Sequence, residues 1–199
     1  LSRNLNFGAL PVPIELVGTQ SIGSTLGNET LGQGIMAGII GLSIVALFLI
    51  FWYRLSGFFA VLSLGLYMVI ILSLFKLIPV VLTASGIAGF ILSIGMAVDA
   101  NVLIFERIKE EVSGGRHSRK AIEEGFMRAW PSIRDDNIII LLTAVVFFLF
   151  GTFLVKGFAL VFGIGVLTIM FTAIVVTKSL MLSLPIKRSF WLKTGFSRK

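Results

Sequence analysis

The sequence predicts an all-α membrane protein with five transmembrane helices. Of its 199 residues, 56% are hydrophobic and only 14% are charged, and the mean hydropathy is +1.00. A soluble protein of this length has more surface than so few charges can cover. Several apolar runs also reach the roughly 18–20 residues that a helix needs to cross the core of a bilayer.

The five predicted spans form one transmembrane domain over residues 32–184. They cover residues 32–53, 57–75, 81–105, 137–155 and 157–184. Only Arg54-Leu55-Ser56 separates the first two spans, which predicts an antiparallel hairpin. Residues 1–31 contain several glycines and prolines, which favour irregular chain. We expect them to be an external segment that leads out of a soluble domain missing from this chain.

The positions of the basic residues predict the topology. Thirteen of the 17 lysines and arginines fall on one side of the five predicted spans, and Arg3, Lys76 and Lys156 fall on the other. Because basic residues accumulate on the cytoplasmic side, the loop 106–136 and the basic tail 185–199 are predicted to be cytoplasmic. The N-terminal segment is then outside. Lys178 lies near the cytoplasmic end of the fifth span, where its side chain can reach the surface.

The predicted cytoplasmic loop contains an amphipathic helix. Its apolar residues recur at helical spacing, and they are Ile122, Phe126, Ala129, Trp130 and Ile133. We expect Gly114-Gly115 to separate this helix from the third span, and Pro131 to kink or restart it. The helix either covers the ends of the spans or takes part in coupling, since periodicity alone indicates only that one face is covered.

Several functions lack the residues they need. The chain has no cysteine and a single histidine, His117, so a cysteine or multi-histidine metal site is not expected. No phosphate-binding G-x-x-x-x-G-K-[ST] motif or nucleophile motif occurs. We therefore predict no cofactor, no enzyme activity and no ATPase. The net charge of +7 comes from loops beside apolar spans, which indicates membrane lipid rather than nucleic acid as its partner.

Asp99 is the main candidate site residue. It lies inside the apolar run 87–105, where a carboxylate costs roughly 2.5–3.5 kcal/mol on insertion scales, so a functional role is the default hypothesis. Low dielectric disfavours the charged carboxylate and a nearby cation favours it, so a carboxyl between them can act as a proton relay. The alternative is a carboxylate held only by hydroxyls or a fixed cation. The other spans offer no strong cation, so a second polypeptide is expected to supply one.

Other polar and small residues have packing or supporting roles. Gly95 and Glu106 share the face of Asp99, while Asn101 lies about 200° away on a small-residue stripe. Arg107 belongs with Glu106 and Glu111 to a solvated helix end. Asp135 and Asn137 are capping candidates at the start of the fourth span. Gly163 belongs to a small-residue stripe on the fifth span, where close helix packing is expected.

The sequence resembles the SecD family of protein-export membrane subunits. The motif is residues 95–111 (GMAVDANVLIFERIKEE), and matches follow at residues 121–126 (AIEEGF), 156–159 (KGFA), 163–165 (GIG) and 170–173 (MFTA). Residues 4–11 and 22–27 also resemble the segment before the family's second span. Gly157 and Gly165 belong to these matches.

The resemblance implies a fold and a role. The family has six spans and a large external domain after the first, so this chain corresponds to spans two to six, half of a resistance-nodulation-division-like bundle. The implied partners are SecF, the SecYEG translocon, and further SecA and YajC, acting on preproteins in the bacterial cytoplasmic (inner) membrane. The implied role is proton-driven completion of export, in which Asp99 is the proton-relay group beside an arginine of the SecF half.

The chain departs from the family pattern at four positions. Asp136 replaces a small residue, Ile139 and Ile140 replace two threonines, and Phe162 replaces a smaller or polar residue. Two other functions stay open at this point. One is half of a proton-driven resistance-nodulation-division-type efflux transporter, and the other is a purely structural membrane scaffold.

Overall fold

The computed structural model describes residues 24–115 and 118–183, and every regular element within them is helical. The predicted tail 185–199, His117 and most of the segment 1–31 lie outside the described residues. The elements in chain order are α1 (Ser24–Tyr53), α2 (Leu55–Leu77), α3 (Ala84–Ser113), α4 (Ser118–Phe150), α5 (Phe153–Thr172), a π-helical segment (Ala173–Thr177) and α6 (Lys178–Leu182).

The first two helices form a hairpin with a one-residue turn. Arg54 has a φ of 49°, the left-handed conformation that reverses the chain between α1 and α2. Gly57 follows in the first turn of α2, where a Cβ atom would overlap the backbone of Leu49. The absence of a side chain therefore allows α2 to fold back directly against α1.

The interior of the bundle lies where α3 packs against α4 and α5. Thr83 caps α3, since its side chain accepts a hydrogen bond from the Gly86 N–H at 3.1 Å. Gly89 lies against α5, and a Cβ there would be 2.9 Å from the Phe158 carbonyl oxygen. At the charged end of α3, helix α4 crosses α3 with Gly125 against Ile108. A Cβ at Gly125 would be 2.8 Å from the Ile108 backbone nitrogen. Glycines therefore fix how closely these helices approach.

Four helices are long and apolar enough to cross a membrane. These segments are Gly32–Tyr53, Ser56–Leu77, Ala84–Ser113 and Phe153–Leu182. The predicted fourth span is not among them, because the apolar end of α4 comprises only residues 137–150. Fourteen residues extend about 21 Å, which is shorter than the roughly 30 Å core of a bilayer.

The predicted boundary between the fourth and fifth spans needs correction. Helix α4 ends at Phe150 and α5 begins at Phe153, so the break lies at Gly151-Thr152 rather than at residue 156. The Gly151 N–H donates to the Phe147 carbonyl at 2.9 Å, and Thr152 has extended backbone angles. Glycine ends α4 and the extended threonine lets a new helix start, so Val155 and Lys156 lie on α5.

The helices also extend beyond the predicted spans at two places. The described part of 106–136 belongs to α3 and α4 except for the turn at Gly114–Gly115, and α4 continues through Pro131. Residues 24–31 belong to α1 rather than to an irregular segment. Neither segment 24–31 nor the end of α3 contains a proline, so each helix continues past its apolar part.

Candidate functional site

Asp99 lies on the side of α3 that the rest of the described chain leaves uncovered. Asp99 is exposed. It lies 15 positions after Ala84, the first residue of α3, and so about 22 Å along the helix. The carboxylate makes no hydrogen bond or ion pair with residues 24–115 or 118–183. Gly95, one turn earlier, is also exposed, and a Cβ there would meet nothing within 4 Å. Within its described part, this chain therefore neither buries nor neutralises Asp99.

Asn101 points to the opposite side of α3, into the bundle. Its side chain is buried, and its Oδ1 accepts a hydrogen bond from the Thr177 hydroxyl at 2.8 Å. The Thr177 Oγ1 is also 2.7 Å from the Ser63 Oγ. Hydrogen bonds among these three polar side chains therefore link α3, the π-helical segment and α2 inside a largely apolar interior.

The π-helical segment positions Thr177 between Asn101 and Ser63. A π-helix leaves backbone carbonyls in positions that an α-helix does not offer, and such segments are frequent at functional sites. Here the Thr177 hydroxyl also lies 3.5 Å from the Thr172 carbonyl oxygen. The sequence reasoning missed Ser63 and Thr177. The signal that could have found them is a hydroxyl residue in an apolar helix, where a polar group needs a partner.

A second buried polar pair joins α2 to α3. The Tyr67 hydroxyl and the Ser93 Oγ are 2.7 Å apart, and the Ser93 hydroxyl also lies 2.6 Å from the Phe90 carbonyl oxygen. Gly165 of α5 packs against the same serine, because a Cβ at Gly165 would be 2.6 Å from the Ser93 Cβ. Three helices therefore meet at this pair. The sequence reasoning missed Tyr67, which lies in an apolar helix just as Ser63 does.

The remaining predicted glycines lie on α5. Gly157 packs against the capping residue Thr83, where a Cβ would be 2.9 Å from the Thr83 hydroxyl oxygen. Gly163 faces α4, with the Ala144 Cβ at 3.7 Å from the position of an added Cβ. Both contacts bring α5 close to its neighbours, and neither glycine approaches Asp99.

The predicted charged residues form local pairs away from Asp99. Lys109 pairs with Glu106 at 3.3 Å and Arg107 with Glu110 at 2.9 Å, each within one helix turn. Asp135 pairs with its neighbour Arg134 at 2.9 Å. These partly exposed pairs contribute little to stability, between about 0 and 1 kcal/mol each.

Two polar side chains at the charged end of the bundle are buried. Asn137 donates to the Ile133 carbonyl at 2.7 Å, and its Oδ1 has no hydrogen-bond partner among the described residues. Glu111 was predicted to belong to a solvated helix end, but it is buried and forms an ion pair with Arg128 of α4. The prediction was wrong because α4 covers the end of α3. This ion pair holds α3 and α4 together beyond the apolar part of the bundle.

The positions that depart from the family pattern have different surroundings. Asp136 and Ile139 are exposed on α4 and Ile140 is half-buried. Phe162 is buried, and its ring stacks on that of Phe158 at a centroid distance of 5.1 Å. The larger side chain at Phe162 therefore fills space in the α3–α5 contact, next to Gly89.

Long apolar helices, buried polar links between them and an uncovered acidic residue define a multi-pass helical membrane protein. The sequence matches the family described as "Protein export membrane protein SecD/SecF, C-terminal" over residues 7–187. The chain belongs to this family.

Curated relatives support the same assignment. The chain is 49% identical to the protein translocase subunit SecD of Thermobaculum terrenum over 199 residues, which cover 96% of this chain and 39% of the relative. It is 48% identical to SecD of a Synechocystis species over 92% of this chain and 39% of that protein. The chain thus spans about two fifths of the length of these relatives.

Solved structures show the same fold. The crystal structure of SecDF, a translocon-associated membrane protein from Thermus thermophilus, matches with a TM-score of 0.80 and 37% identity, over 95% of this chain and 26% of that chain. SecDF in its super-membrane-facing form matches with a TM-score of 0.75 and 39% identity, over 89% and 24% respectively. These similarities do not favour the efflux-transporter alternative.

Proposed function

We propose that this chain is the membrane part of a Sec export subunit that uses the proton gradient to help complete preprotein translocation. The observation that carries the proposal is the position of Asp99, exposed on an apolar helix without a partner in the described chain. Such a carboxylate costs roughly 2.5–3.5 kcal/mol at the centre of a membrane helix. No contact in the described chain offsets that cost, so a functional role is the better explanation.

A second membrane half is proposed to cover the Asp99 face. Ala88, Leu92, Gly95 and Asp99 form an exposed stripe along α3, and its small residues permit close approach of another helix. A cation on that helix would favour the charged carboxylate, and the apolar surroundings would favour the neutral form. We infer that SecF supplies this half, that α4 then acts as a fifth span, and that the two halves form a resistance-nodulation-division-like bundle.

Movement at Asp99 is proposed to reach the rest of the bundle through Asn101. Asn101 lies two residues further along and ties the opposite side of α3 to Thr177 and Ser63. Any rotation of α3 that follows a change of charge at Asp99 must therefore shift or break these hydrogen bonds. The two residues would then link proton uptake to the contact of α3 with α2 and the π-helical segment.

The wider setting of the proposal is the bacterial cytoplasmic membrane. Residues 1–31 would lie outside and the basic tail 185–199 in the cytoplasm, as the distribution of lysine and arginine predicts. SecYEG, SecA and YajC are the further partners proposed. An ion gradient is the proposed energy source, because the sequence contains no phosphate-binding loop motif.

The test measures preprotein translocation in proteoliposomes that contain the full-length subunit, SecF, SecYEG and SecA, with and without a proton gradient. Asp99→Asn should abolish the part of translocation that depends on the gradient and leave the gradient-independent part unchanged. Asp99→Glu, which still carries a proton, should retain part of the effect. Because Asp99 is exposed and unpaired in the described chain, Asp99→Asn is expected to fold.

Asp136→Asn is the matched control. Asp136 is also exposed and the substitution removes the same charge, but Asp136 lies on α4, in its polar half just before the apolar residues 137–150. It should leave gradient-dependent translocation unchanged. Full gradient dependence in Asp99→Asn would exclude Asp99 as the proton carrier, while the assignment of the chain to the export family would stand.

A further inference from the structure

A groove of about 330 Å³ opens between α3, α4, the π-helical segment and the start of α6. It lies on a different side of α3 from Asp99, because Ile104, which lines it, is five residues further on and about 140° around the helix. The remaining lining is mainly apolar, from Phe126, Met127, Trp130, Ile133, Ala173 and Ile174, and Lys178 completes it. The volume falls at the lower end of the roughly 300–1,000 Å³ typical of small-molecule sites.

The groove lies where the apolar helices meet the charged segment of the protein. Met127 and Trp130 belong to the amphipathic first half of α4, and Ile174 belongs to the apolar helix Phe153–Leu182. Met127 and Ile174 are partly open to the surroundings, so the groove can be entered from the side. Tryptophan is enriched at the membrane–water interface, where its ring contacts both apolar chains and polar headgroups. These features are typical of a groove at headgroup depth in one leaflet.

Lys178 is the cation of the groove. It forms no ion pair with any of the residues that the structure describes. Three arginines of α4 have carboxylate partners, since Arg128 pairs with Glu111, Arg134 with Asp135 and Arg119 with Glu123. A lysine side chain places its methylenes along an apolar surface and its ammonium group at the headgroups.

We propose that this groove binds an anionic phospholipid, with an acyl chain against Trp130 and the phosphate at Lys178. An apolar slot with a cation at its edge matches a lipid in both parts, and basic pockets between membrane helices are known to hold anionic headgroups. A helix of another protein would fill the slot without needing the unpaired ammonium group. Lipid binding requires only that the chain lies in a bilayer, so it goes beyond the proton function and does not depend on Asp99.

The test uses quenching of Trp130 fluorescence by brominated acyl chains in reconstituted full-length protein. Trp52→Phe and Trp191→Phe leave Trp130 as the only tryptophan of these 199 residues. Any tryptophan in the rest of the full-length protein is likewise replaced by phenylalanine, so that Trp130 is the reporter. Two vesicle preparations contain equal parts of phosphatidylglycerol and phosphatidylcholine and differ only in which lipid is brominated. The surface charge is therefore identical, and the ratio of quenching reports which lipid occupies the groove.

Brominated phosphatidylglycerol should quench Trp130 more strongly than brominated phosphatidylcholine, with a local preference of about fivefold, as expected for one lysine beside an anionic lipid. Lys178→Gln should bring the ratio to one, and high salt should lower it. Lys156→Gln removes the same charge at the other end of the same helix and should leave the ratio unchanged.

Three results would overturn the proposal, and the first two would appear in the protein that retains Lys178 and Lys156. Equal quenching by the two lipids would mean that the groove contacts acyl chains without selecting a headgroup. No quenching by either lipid would mean that protein covers the groove. A ratio that stays above one in Lys178→Gln would remove Lys178 from the site.

Discussion

Gly165 offers a direct test of how α3 and α5 pack. A Cβ atom at this position would lie 2.6 Å from the Ser93 Cβ, 2.8 Å from the Ser93 Oγ and 3.3 Å from the Tyr67 hydroxyl oxygen. Carbon atoms in contact prefer about 3.5–4.0 Å, so Gly165→Ala must push the two helices apart by about 1 Å locally. The first atoms to move are those of the buried Tyr67–Ser93 hydrogen bond.

The expected cost follows from opposing contributions. Overpacking a well-filled interior costs about 1–3 kcal/mol, and loss of an interhelical hydrogen bond in a membrane protein costs about 0.6 kcal/mol on average. Alanine recovers up to about 1 kcal/mol of helix propensity relative to glycine. The net loss in the free energy of unfolding is therefore about 1–2 kcal/mol for Gly165→Ala.

Gly95→Ala is the matched control, because a Cβ at Gly95 meets nothing within 4 Å. It should leave the stability of the isolated chain unchanged or raise it slightly. Unfolding is followed by tryptophan fluorescence as SDS is added to the protein in mild detergent micelles. Ser93→Gly in the Gly165→Ala background removes the clashing Ser93 Cβ. It should recover the part of the lost unfolding free energy that is due to overpacking.

Two outcomes would refute this reasoning. In the first, Gly165→Ala and Gly95→Ala have equal free energies of unfolding, which would mean that α5 does not approach Ser93 so closely. In the second, Ser93→Gly fails to improve Gly165→Ala, so the loss would have another origin than the contact between these two positions.

Two further predictions concern the other buried polar contacts. In a double-mutant cycle, Asn101→Leu and Thr177→Val should be coupled by about 0.6 kcal/mol and at most about 1.7 kcal/mol. Purely additive losses of unfolding free energy would argue against the hydrogen bond between them. Glu111→Gln should destabilise the protein by about 1–2 kcal/mol, below the 3–5 kcal/mol of a fully buried pair because Arg128 is 60% exposed. Glu110→Gln, at an exposed position, should change stability by less than about 0.5 kcal/mol in the same SDS unfolding assay, and equal losses would contradict the burial of Glu111.

Helical geometry made part of the site predictable from sequence. Asp99 and Asn101 are separated by a local rule, 3.6 residues per turn, so their opposite sides on α3 follow from spacing alone. Apolar run length likewise indicated the four long helices. The segment before the fourth predicted span was harder to predict from the sequence. Its charges and its proline do not show that it continues into the span as one helix, α4, from Ser118 to Phe150.

The partners of the buried polar residues could not be predicted in the same way. Thr177 reaches Asn101 across 76 positions of sequence and Ser63 across 114. Helical periodicity says which residues share a face, but it does not say which faces of different helices meet. Glu111 shows the same limit, since its burial depends on the approach of α4.

The sequence by itself determined that this protein is a bundle of apolar helices and that Asp99 lies within one of them, because hydropathy and helical period are local properties of the chain. The tertiary structure decided that no described helix covers Asp99, while Asn101 accepts a hydrogen bond from Thr177. It also decided where α4 ends and which glycines lie where an added Cβ would clash with a neighbouring helix. These features arise from contacts between distant segments, and only packing in three dimensions selects them.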